Sequence, residues 1–513
     1  MRLDKTKNAV RNMSFGLLNK ITSIVLPFAV RTVFIRVLGE EYLGLSSLFS
    51  SVLMVLSMTE LGFSSAIVYH MYKPIAEDDT ATINALLHYY KTVYRIIGCI
   101  ILGVGCLLIP ILPYLIKGSA PSDINLTIIY LIYLGNTAAS YFLFAYYSAL
   151  ISAFQRGDLI SKANILVSFA MYVVQILCLL FVKNYYAYIA IMPAFTILNN
   201  LRIRTVARRV FPECRPEGNI GPELKADIRQ KVGGLMISKV SGVSRNAFDS
   251  IFISMFLGLA DTAMYNNYYY IMNAVTGVMI MFITSIRAGV GNSVALDSVE
   301  TNYHNMKKMN FLYMWISGWF TICLLCLYQP FMKLWMGENL MFPMATVVLL
   351  CVYFYVLKIG DIRSIYVDTK GAWWENRYRA TLEAAANIAL NYFLGKYYGV
   401  NGIIVATLLS LFFINFLYGS QIIFRYYFGM DKIRDYYRSN IEYAVVTSLA
   451  AVITLGFCRS LPVEGLIGLF LKAAICTMIP NVIYWICYRK TNEYQMAAPW
   501  ILEKFHIERE ITK

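Results

Sequence analysis

The sequence predicts an all-α polytopic membrane protein with about fourteen transmembrane helices, and two observations support this fold class. The first is composition: 58% of the 513 residues are hydrophobic and the mean hydropathy is +0.56, which leaves too little polar surface for a soluble protein of this size. The second is the succession of long apolar segments, each near the roughly 20 residues that a helix needs to cross a bilayer. Because the hydrocarbon core offers the backbone no water, these segments must be helical.

The candidate spans follow one another with short connections, and each is an apolar run that ends at charged residues, Gly or Pro. In order, they are 13–38, 43–69, 91–115, 124–153, 160–183, 186–206, 233–258, 262–287, 309–334, 341–366, 379–398, 401–427, 441–461 and 464–488. The basic start, Met1 to Arg11, leads directly into the first span, so we expect no cleavable signal.

One long polar stretch, 201–232, separates the sixth span from the seventh and is rich in Arg, Pro and Gly. Its end, 222–232, could form a short amphipathic helix on the membrane surface. We therefore predict four regions in the chain. They are a first six-helix lobe at 1–204, a cytoplasmic linker at 205–232, a second six-helix lobe at 233–428, and two additional helices with a cytoplasmic tail at 429–513.

The net charge of +15 is distributed unevenly among the loops. Of the 45 Lys and Arg residues, 33 lie in alternate loops and at the termini, whereas five lie in the intervening loops. By the positive-inside rule, both termini and the stretch 201–232 face the cytoplasm. Since this charge sets the topology, nucleic acid is not expected as a partner.

No residue pattern indicates an enzyme or a metal site. The sequence shows no pairing of a nucleophile with a base, and its four His are scattered near loops. Cys323 and Cys326 form a C-x-x-C pattern, but two leucines separate them within a span, which favours apolar packing. We therefore predict no catalytic residue, no bound metal and no cofactor, with a coupling ion, H+ or Na+, left open.

Seven basic residues lie inside predicted spans, where an ionised group costs about 2.5–3.5 kcal/mol at the bilayer centre. Arg36 lies near the outer end of the first span, where its charge can reach water. Lys358 has Asp361 one turn away, and the long side chain of Lys472 can reach polar surroundings. These three cations therefore need no ligand.

The other four cations lie in the first and seventh spans and are Lys20, Arg31, Lys239 and Arg245. A shift of 219 positions places Lys20 on Lys239, as expected for two repeated lobes. Glu60 lies at the depth of Lys20, and Asp249 follows Arg245 at i+4, so buried ion pairs that hold helices together are one interpretation. Because four cations face two acids, an anionic ligand that is not protein is the other interpretation, and phosphate is the obvious candidate.

The eighth span begins with a stripe of tyrosines and asparagines that includes Tyr265, Asn266, Asn267, Tyr270 and Asn273. An aromatic belt at the outer interface would explain it. The alternative is sugar binding, in which tyrosine rings stack on pyranose faces and asparagines bond hydroxyl groups. We predict that this stripe and Glu60 line a polar cavity.

The eleventh span carries Glu383, Asn387 and Asn391 at intervals of four, on one helix face. Hydrogen bonding between helices would explain these residues. The alternative is a coupling-cation site, because Asp249, Asn391 and Thr407 each lie about two turns below an outer helix end. We keep both interpretations.

Several short motifs, in order along nearly the whole chain, resemble one family. The run 31–45, RTVFIRVLGEEYLGL, resembles the R-x-L-G-x-x-x-Y/L-G element of bacterial polysaccharide exporters, and ELGFSSAIVY at 60–69 with Lys73-Pro74 is also similar. In the second half the similar motifs are YNNY at 265–268, NIALN at 387–391, and YGVNG at 398–402 followed by Ala406-Thr407 and Ser410. The family is the oligosaccharide-lipid flippases of the multidrug/oligosaccharidyl-lipid/polysaccharide exporter superfamily.

This resemblance implies a V-shaped, MATE-like bundle of two six-helix lobes with two C-terminal helices. It also implies alternating access, in which undecaprenyl-diphosphate-linked sugars pass from the inner to the outer leaflet of the bacterial cytoplasmic membrane. Cavities in this family are cationic and formed largely by helices one, two, seven and eight, which carry the four cations predicted to bind diphosphate. The implied partners are the lipid-linked oligosaccharide, membrane lipids, and a polysaccharide polymerase and glycosyltransferases.

Our prediction is therefore a flippase for capsule, exopolysaccharide or O-antigen synthesis. A drug/cation antiporter of the same fold is the first alternative, but it should carry acids in its cavity, whereas cations are in excess here. A membrane polysaccharide polymerase is the second, but no predicted outer loop exceeds about a dozen residues, which leaves little room for a catalytic domain.

Overall fold

The computed structural model describes residues 5–60, 62–118 and 120–500. The side chains at 5–10, 13, 59, 234, 235, 237–239 and 373 lie outside the described part. Within the described residues the chain contains helices and no strand, which confirms the all-α fold class. Helix packing divides the chain into two units, Met1–Asn266 and Asn267–Lys513.

The first unit contains nine helices and the start of the tenth, among the residues described. They are α1 Lys5–Leu38, α2 Glu40–Leu56, α3 Phe63–Ala76, α4 Thr80–Leu107, α5 Leu126–Phe142, α6 Tyr146–Ala153, α7 Gly157–Leu177, α8 Tyr185–Val210, α9 Pro222–Phe256 and α10 Leu259–Leu296. Helix α1 packs along α7, α5 packs on α8, and α9 packs on α2 and α3. The core of this unit consists of buried aliphatic residues and tyrosines.

The second unit contains the rest of α10 and seven further helices in its described part. They are α11 Val299–Met336, α12 Met344–Ile359, α13 Asp361–Lys370, α14 Trp373–Leu409, α15 Gly419–Ile423, α16 Ile433–Ser460 and α17 Gly465–Tyr488. Helices α16 and α17 pack on each other and on α11. The two additional helices predicted at the C-terminal end therefore lie against α11.

Breaks in the helices coincide with backbone that an α-helix cannot adopt. Gly62 has φ 100° at the start of α3, after the 3-10 turn Ser57–Glu60. Gly399 has φ 60° and ψ −141° inside α14, so α14 is two helices that meet at this residue. Such positive φ values are readily tolerated only by glycine. The second predicted span is thus two helices, and the eleventh and twelfth spans meet at a glycine turn.

All fourteen predicted spans overlap described helices. By length and apolar composition, nine described helices can cross a membrane, or ten if the bent pair Leu126–Phe142 and Tyr146–Ala153 is one span. Helix α9 is not among the nine, and it carries Lys239, Arg245 and Asp249 in its apolar part. The number of fourteen spans and the four predicted regions remain predictions.

The polar stretch after the sixth span is more helical than expected. Helix α9 begins at Pro222 and continues without interruption to Phe256, so the predicted short surface helix at 222–232 is the first part of a 35-residue helix. Proline suits this first position because its missing N–H has no partner to lose there. Asp227 on α9 lies 3.4 Å from His70 Nε2 on α3, and Lys231 Nζ lies 4.4 Å from the centre of the Tyr69 ring.

Candidate functional site

The first unit carries the predicted diphosphate-binding cations. Arg31 is half-buried on α1 and lies close enough to Tyr188 of α8 to interact with it electrostatically. Lys20 is half-buried on the same helix, and Arg245 is half-buried on α9. The side chain of Lys239 lies outside the described residues. Arg31 and Arg245 thus lie within apolar helices without being fully enclosed.

Glu60 is held by tyrosines. Its carboxylate accepts hydrogen bonds from the Tyr94 hydroxyl of α4 and from the Tyr141 hydroxyl of α5, the latter at 2.9 Å. Both carboxylate oxygens are therefore used, and the ion pair suggested between Glu60 and Lys20 is not present among the described contacts. The sequence places Glu60 at the same depth as Lys20, but equal depth does not determine the direction in which the Glu60 side chain points.

Asp249 and the start of the tyrosine–asparagine stripe connect α9 to α10. Asp249 is 1% exposed and accepts a hydrogen bond from the Tyr265 hydroxyl at 3.1 Å. Asn266 Nδ2 donates to Ser250 Oγ at 3.1 Å and to the Thr262 carbonyl at 2.8 Å. These contacts fix the two helices to each other, and the pairing of Arg245 with Asp249 stays a prediction.

The rest of this stripe is divided by burial. Asn267 is fully buried, Tyr270 is half-buried and Asn273 is exposed. Tyr268, also fully buried, donates from its hydroxyl to Gln329 Oε1 at 2.9 Å and so joins α10 to α11. Tyr270 and Asn273 are therefore partly accessible to a ligand, whereas Asn266, which is also half-buried, already bonds Ser250 and Thr262.

The second unit contains a buried group of polar side chains centred on α14, which we call the α14 polar cluster. Its members are Arg363, Arg379, Glu383, Asn387, Asn391, Thr407, Ser410 and Asn415. Asn387 Nδ2 donates to Thr407 Oγ1 at 3.0 Å and to Ser410 Oγ at 3.5 Å, and Asn391 Nδ2 lies 3.4 Å from Asn387 Oδ1. The structure thus brings Asn387, Asn391 and Thr407 together, whereas Asp249 belongs to the other unit.

Glu383 lies at one end of the α14 polar cluster and has cationic and amide donors. Arg379 Nη1 donates to Glu383 Oε2 at 2.6 Å, and Asn415 Nδ2 donates to the same oxygen at 2.9 Å. Glu383 is 1% exposed and Arg379 is 7% exposed, so this is a buried ion pair. A carboxylate that is already paired with a guanidinium is a poorer ligand for a coupling cation.

Arg363 is a buried cation that the sequence did not reveal. It lies near the end of the predicted span 341–366 and was counted among the loop charges, but it is 2% exposed on α13. Its Nη1 donates to the Asn415 carbonyl at 2.8 Å and to the Phe416 carbonyl at 3.2 Å. Counting Arg363 and Arg379 among the loop charges was therefore wrong, because both are buried on helices. The apolar positions Ile362, Ile365 and Tyr366, which extend the predicted span 341–366 past Asp361, could have indicated this burial.

Lys358 behaves as predicted. It is 3% exposed, and its Nζ lies 3.0 Å from Asp361 Oδ2, which also accepts a hydrogen bond from Tyr313 at 2.6 Å. The predicted pairing of Lys358 with Asp361 is confirmed. This cation is therefore a structural one.

Comparison with known proteins places these features in a family. A family model described as "Polysaccharide biosynthesis protein" matches residues 9–286, more than half of the chain. No curated protein matches the sequence.

Solved structures with a similar fold are transporters. The lipid II flippase MurJ in its inward closed conformation has a TM-score of 0.62 at 15% identity, over 94% of this chain and 99% of that chain. An inward-facing multidrug resistance MATE family transporter of the MOP superfamily has a TM-score of 0.58 at 13% identity, over 81% and 98%. The Vibrio cholerae MATE transporter VcmN in its bent form has a TM-score of 0.51 at 13% identity, over 85% and 99%. The predicted MATE-like exporter fold is thus confirmed.

Proposed function

Because this chain belongs to the polysaccharide biosynthesis protein family, we propose that it is a flippase for undecaprenyl-diphosphate-linked oligosaccharides. It would move these units from the inner to the outer leaflet of the bacterial cytoplasmic membrane by alternating access, for capsule, exopolysaccharide or O-antigen synthesis. Both termini would face the cytoplasm, as the charge asymmetry of the loops requires. Polysaccharide polymerase and glycosyltransferases are the proposed partners in the same pathway.

The observation that carries this proposal is the excess of cations on α1 and α9. Lys20, Arg31, Lys239 and Arg245 all lie within the family-matched range 9–286. The two acids in the same predicted spans as these cations or at their depth, Asp249 and Glu60, accept hydrogen bonds from tyrosines. A substrate with about two negative charges would balance the excess, and charge-assisted bonds to phosphate contribute roughly 1.5–3 kcal/mol each.

The three parts of the substrate, which are the diphosphate, the sugars and the polyprenyl chain, would have different surroundings. The diphosphate would bind the four cations, and the sugars would contact Tyr270 and Asn273, the accessible part of the stripe. The polyprenyl chain would remain in the membrane lipids. A drug/cation antiporter shares the same fold, but a cationic drug would be repelled by this excess of positive charge.

We predict that Arg31→Ala and Arg245→Ala leave membrane abundance near normal and abolish most export of surface polysaccharide. Losing one charge-assisted bond should weaken substrate binding by about tenfold to a hundredfold. The measurement is surface polysaccharide together with the leaflet distribution of the lipid-linked unit in a complemented deletion strain. Arg36→Ala is the matched control, because Arg36 lies on the same helix and is exposed.

Two outcomes would contradict this assignment. Loss of both variants from the membrane would mean that the arginines stabilise the bundle instead of binding substrate. Normal export by both variants would remove the argument for an anionic lipid substrate.

We also propose that a cation, H+ or Na+, drives the cycle through Asp249, Asn391 and Thr407. Support comes from the contact of Asn387 with both Asn391 and Thr407 in the second unit, and from the nearly complete burial of Asp249. We expect Asp249→Asn and Asn391→Ala each to lower transport and to change its dependence on the Na+ or proton gradient. Unchanged ion dependence in both variants would show that the coupling site lies elsewhere.

A further inference from the structure

Three cysteines from three different helices meet inside the second unit. Cys326 lies on α11, Cys458 on α16 and Cys476 on α17, and they are 4%, 3% and 0% exposed. Their Sγ atoms lie within 4.8 Å of one another, and Cys458 Sγ is 3.8 Å from Cys476 Sγ. Positions 326, 458 and 476 are far apart in the sequence, so spacing alone could not predict this group, which we call the thiol triad.

The spacing of the thiol triad suits a bridging metal better than a disulfide. A disulfide joins sulfurs at about 2.05 Å. Three sulfurs at the Zn–S distance of about 2.3 Å around one ion lie roughly 4 Å apart if the arrangement is trigonal. The observed Sγ–Sγ distance of 3.8 Å is close to that value.

A cavity of about 360 Å³ with a mixed polar and apolar lining adjoins the thiol triad. Cys326 and Cys458 line it, together with Gln329, Arg459, Glu464 and Lys472. Glu464 is 3.4 Å from Lys333, so its charge already has a partner. Two of the three cysteines thus border a cavity from which an ion could approach them.

Two basic residues, Lys472 and Arg459, lie at the cavity beside the thiol triad. Lys472 interacts electrostatically with Cys458, and the Cys458 thiol points to the Lys472 carbonyl at 4.0 Å. Thiols must lose their protons to bind a metal, and three thiolates in an apolar bundle would be prohibitive without nearby positive charge. Lys472 and Arg459 supply two positive charges at the cavity.

We propose that the thiol triad binds one soft metal ion of the Cu(I) class. Soft thiolate ligands select Cu(I) or Zn²⁺ over harder cations. Structural Zn²⁺ takes four protein ligands, and the triad supplies three, which complete a trigonal Cu(I) site. Binding forms three S–metal bonds and releases three thiol protons to the cavity. The resulting complex carries two negative charges, which Lys472 and Arg459 balance. The ion would join α16 and α17 to α11.

The test is anaerobic titration of the purified full-length protein in detergent with Cu(I), in competition with a chromogenic Cu(I) chelator. We expect one ion per chain. Cys326→Ser and Cys458→Ser should each lower the affinity by more than the roughly 10–100-fold that follows loss of an outer-shell partner. Cys487→Ser is the matched control, because Cys487 lies on the same helix as Cys476 and is exposed, so it should bind like wild type.

X-ray absorption on the wild-type Cu(I) complex provides a second measurement that does not depend on the folding of variants. Three sulfur neighbours at about 2.3 Å are expected. Nitrogen or oxygen neighbours, equal affinity in all variants, or absence of binding would each overturn the proposal. A protein isolated with a Cys458–Cys476 disulfide, detected as a loss of two hydrogens by mass spectrometry, would overturn it as well.

Discussion

At the residue scale, the buried charged side chains of the α14 polar cluster contact one another or a shared asparagine. Arg379 and Glu383 pair at 2.6 Å, and Asn415 connects them to Arg363 through its side chain and its carbonyl. Buried ions are tolerated only when each has partners, because removal from water costs several kcal/mol per ion. The α14 polar cluster therefore fixes how α13, α14 and the π-helical segment Ser410–Tyr418 pack.

We predict that Arg379→Met alone or Glu383→Met alone destabilises the protein by about 3–5 kcal/mol, because each leaves an uncompensated buried charge. The double variant removes both charges and should recover most of this loss. The measurement is the thermal unfolding midpoint of detergent-solubilised protein. If the double variant is as unstable as the sum of the singles, the two side chains do not act as a pair.

At the element scale, periodicity and hydropathy identified the helices but missed their breaks. The predicted span 43–69 is interrupted by the turn Ser57–Glu60, where polar side chains bind tyrosines of neighbouring helices. Arg363 was counted among the loop charges because it lies near the end of a predicted span, yet tertiary partners bury it. A sequence reports average hydropathy along a segment, whereas the partners that satisfy a buried polar group come from distant positions.

We predict that Gly402→Ala destabilises the glycine turn of α14 by about 1–3 kcal/mol, as overpacking does elsewhere. A Cβ atom at Gly402 would lie 2.0 Å from the Leu394 carbonyl oxygen, so the backbone must move. Gly456→Ala on α16 is the control: nothing lies within 4 Å of its Cβ position, and the helix should gain up to about 1 kcal/mol. Equal unfolding midpoints for the two variants would contradict this close approach.

At the scale of the whole molecule, the helical fold agrees with the predicted class of polytopic all-α membrane protein. Composition and the succession of apolar segments were sufficient to predict that class, because the bilayer restricts the chain to helices. The candidate site was less predictable. Burial and charge located Arg31 and Arg245, but they could not show that tyrosines hold Glu60, or that Tyr265 and Asn267 are buried.

We predict that a Cys placed at Asn219, an exposed position between α8 and α9, is labelled by a maleimide only when the reagent can enter the cytoplasm. The uneven distribution of Lys and Arg among the loops is the reason. Glu338→Cys, exposed in a predicted outer loop, should react with an impermeant maleimide from outside. Labelling of Asn219→Cys from outside alone would invert the topology and contradict the two-lobe organisation.

The uninterrupted helix α9 has a mechanical consequence. Its 35 residues extend about 52 Å, whereas the hydrocarbon core is about 30 Å thick, so if α9 crosses the membrane as predicted, roughly 20 Å of helix would project beyond the lipid. The projecting end touches α3 through Asp227, and the Lys231 ammonium beside Asp227 holds the pKa of that carboxyl below its usual value. If α9 tilts at the level of Arg245, its projecting end would therefore move by a larger distance and carry α3 with it. Ligand binding near Arg245 would then displace the projecting end of α9, together with α3, at the membrane surface.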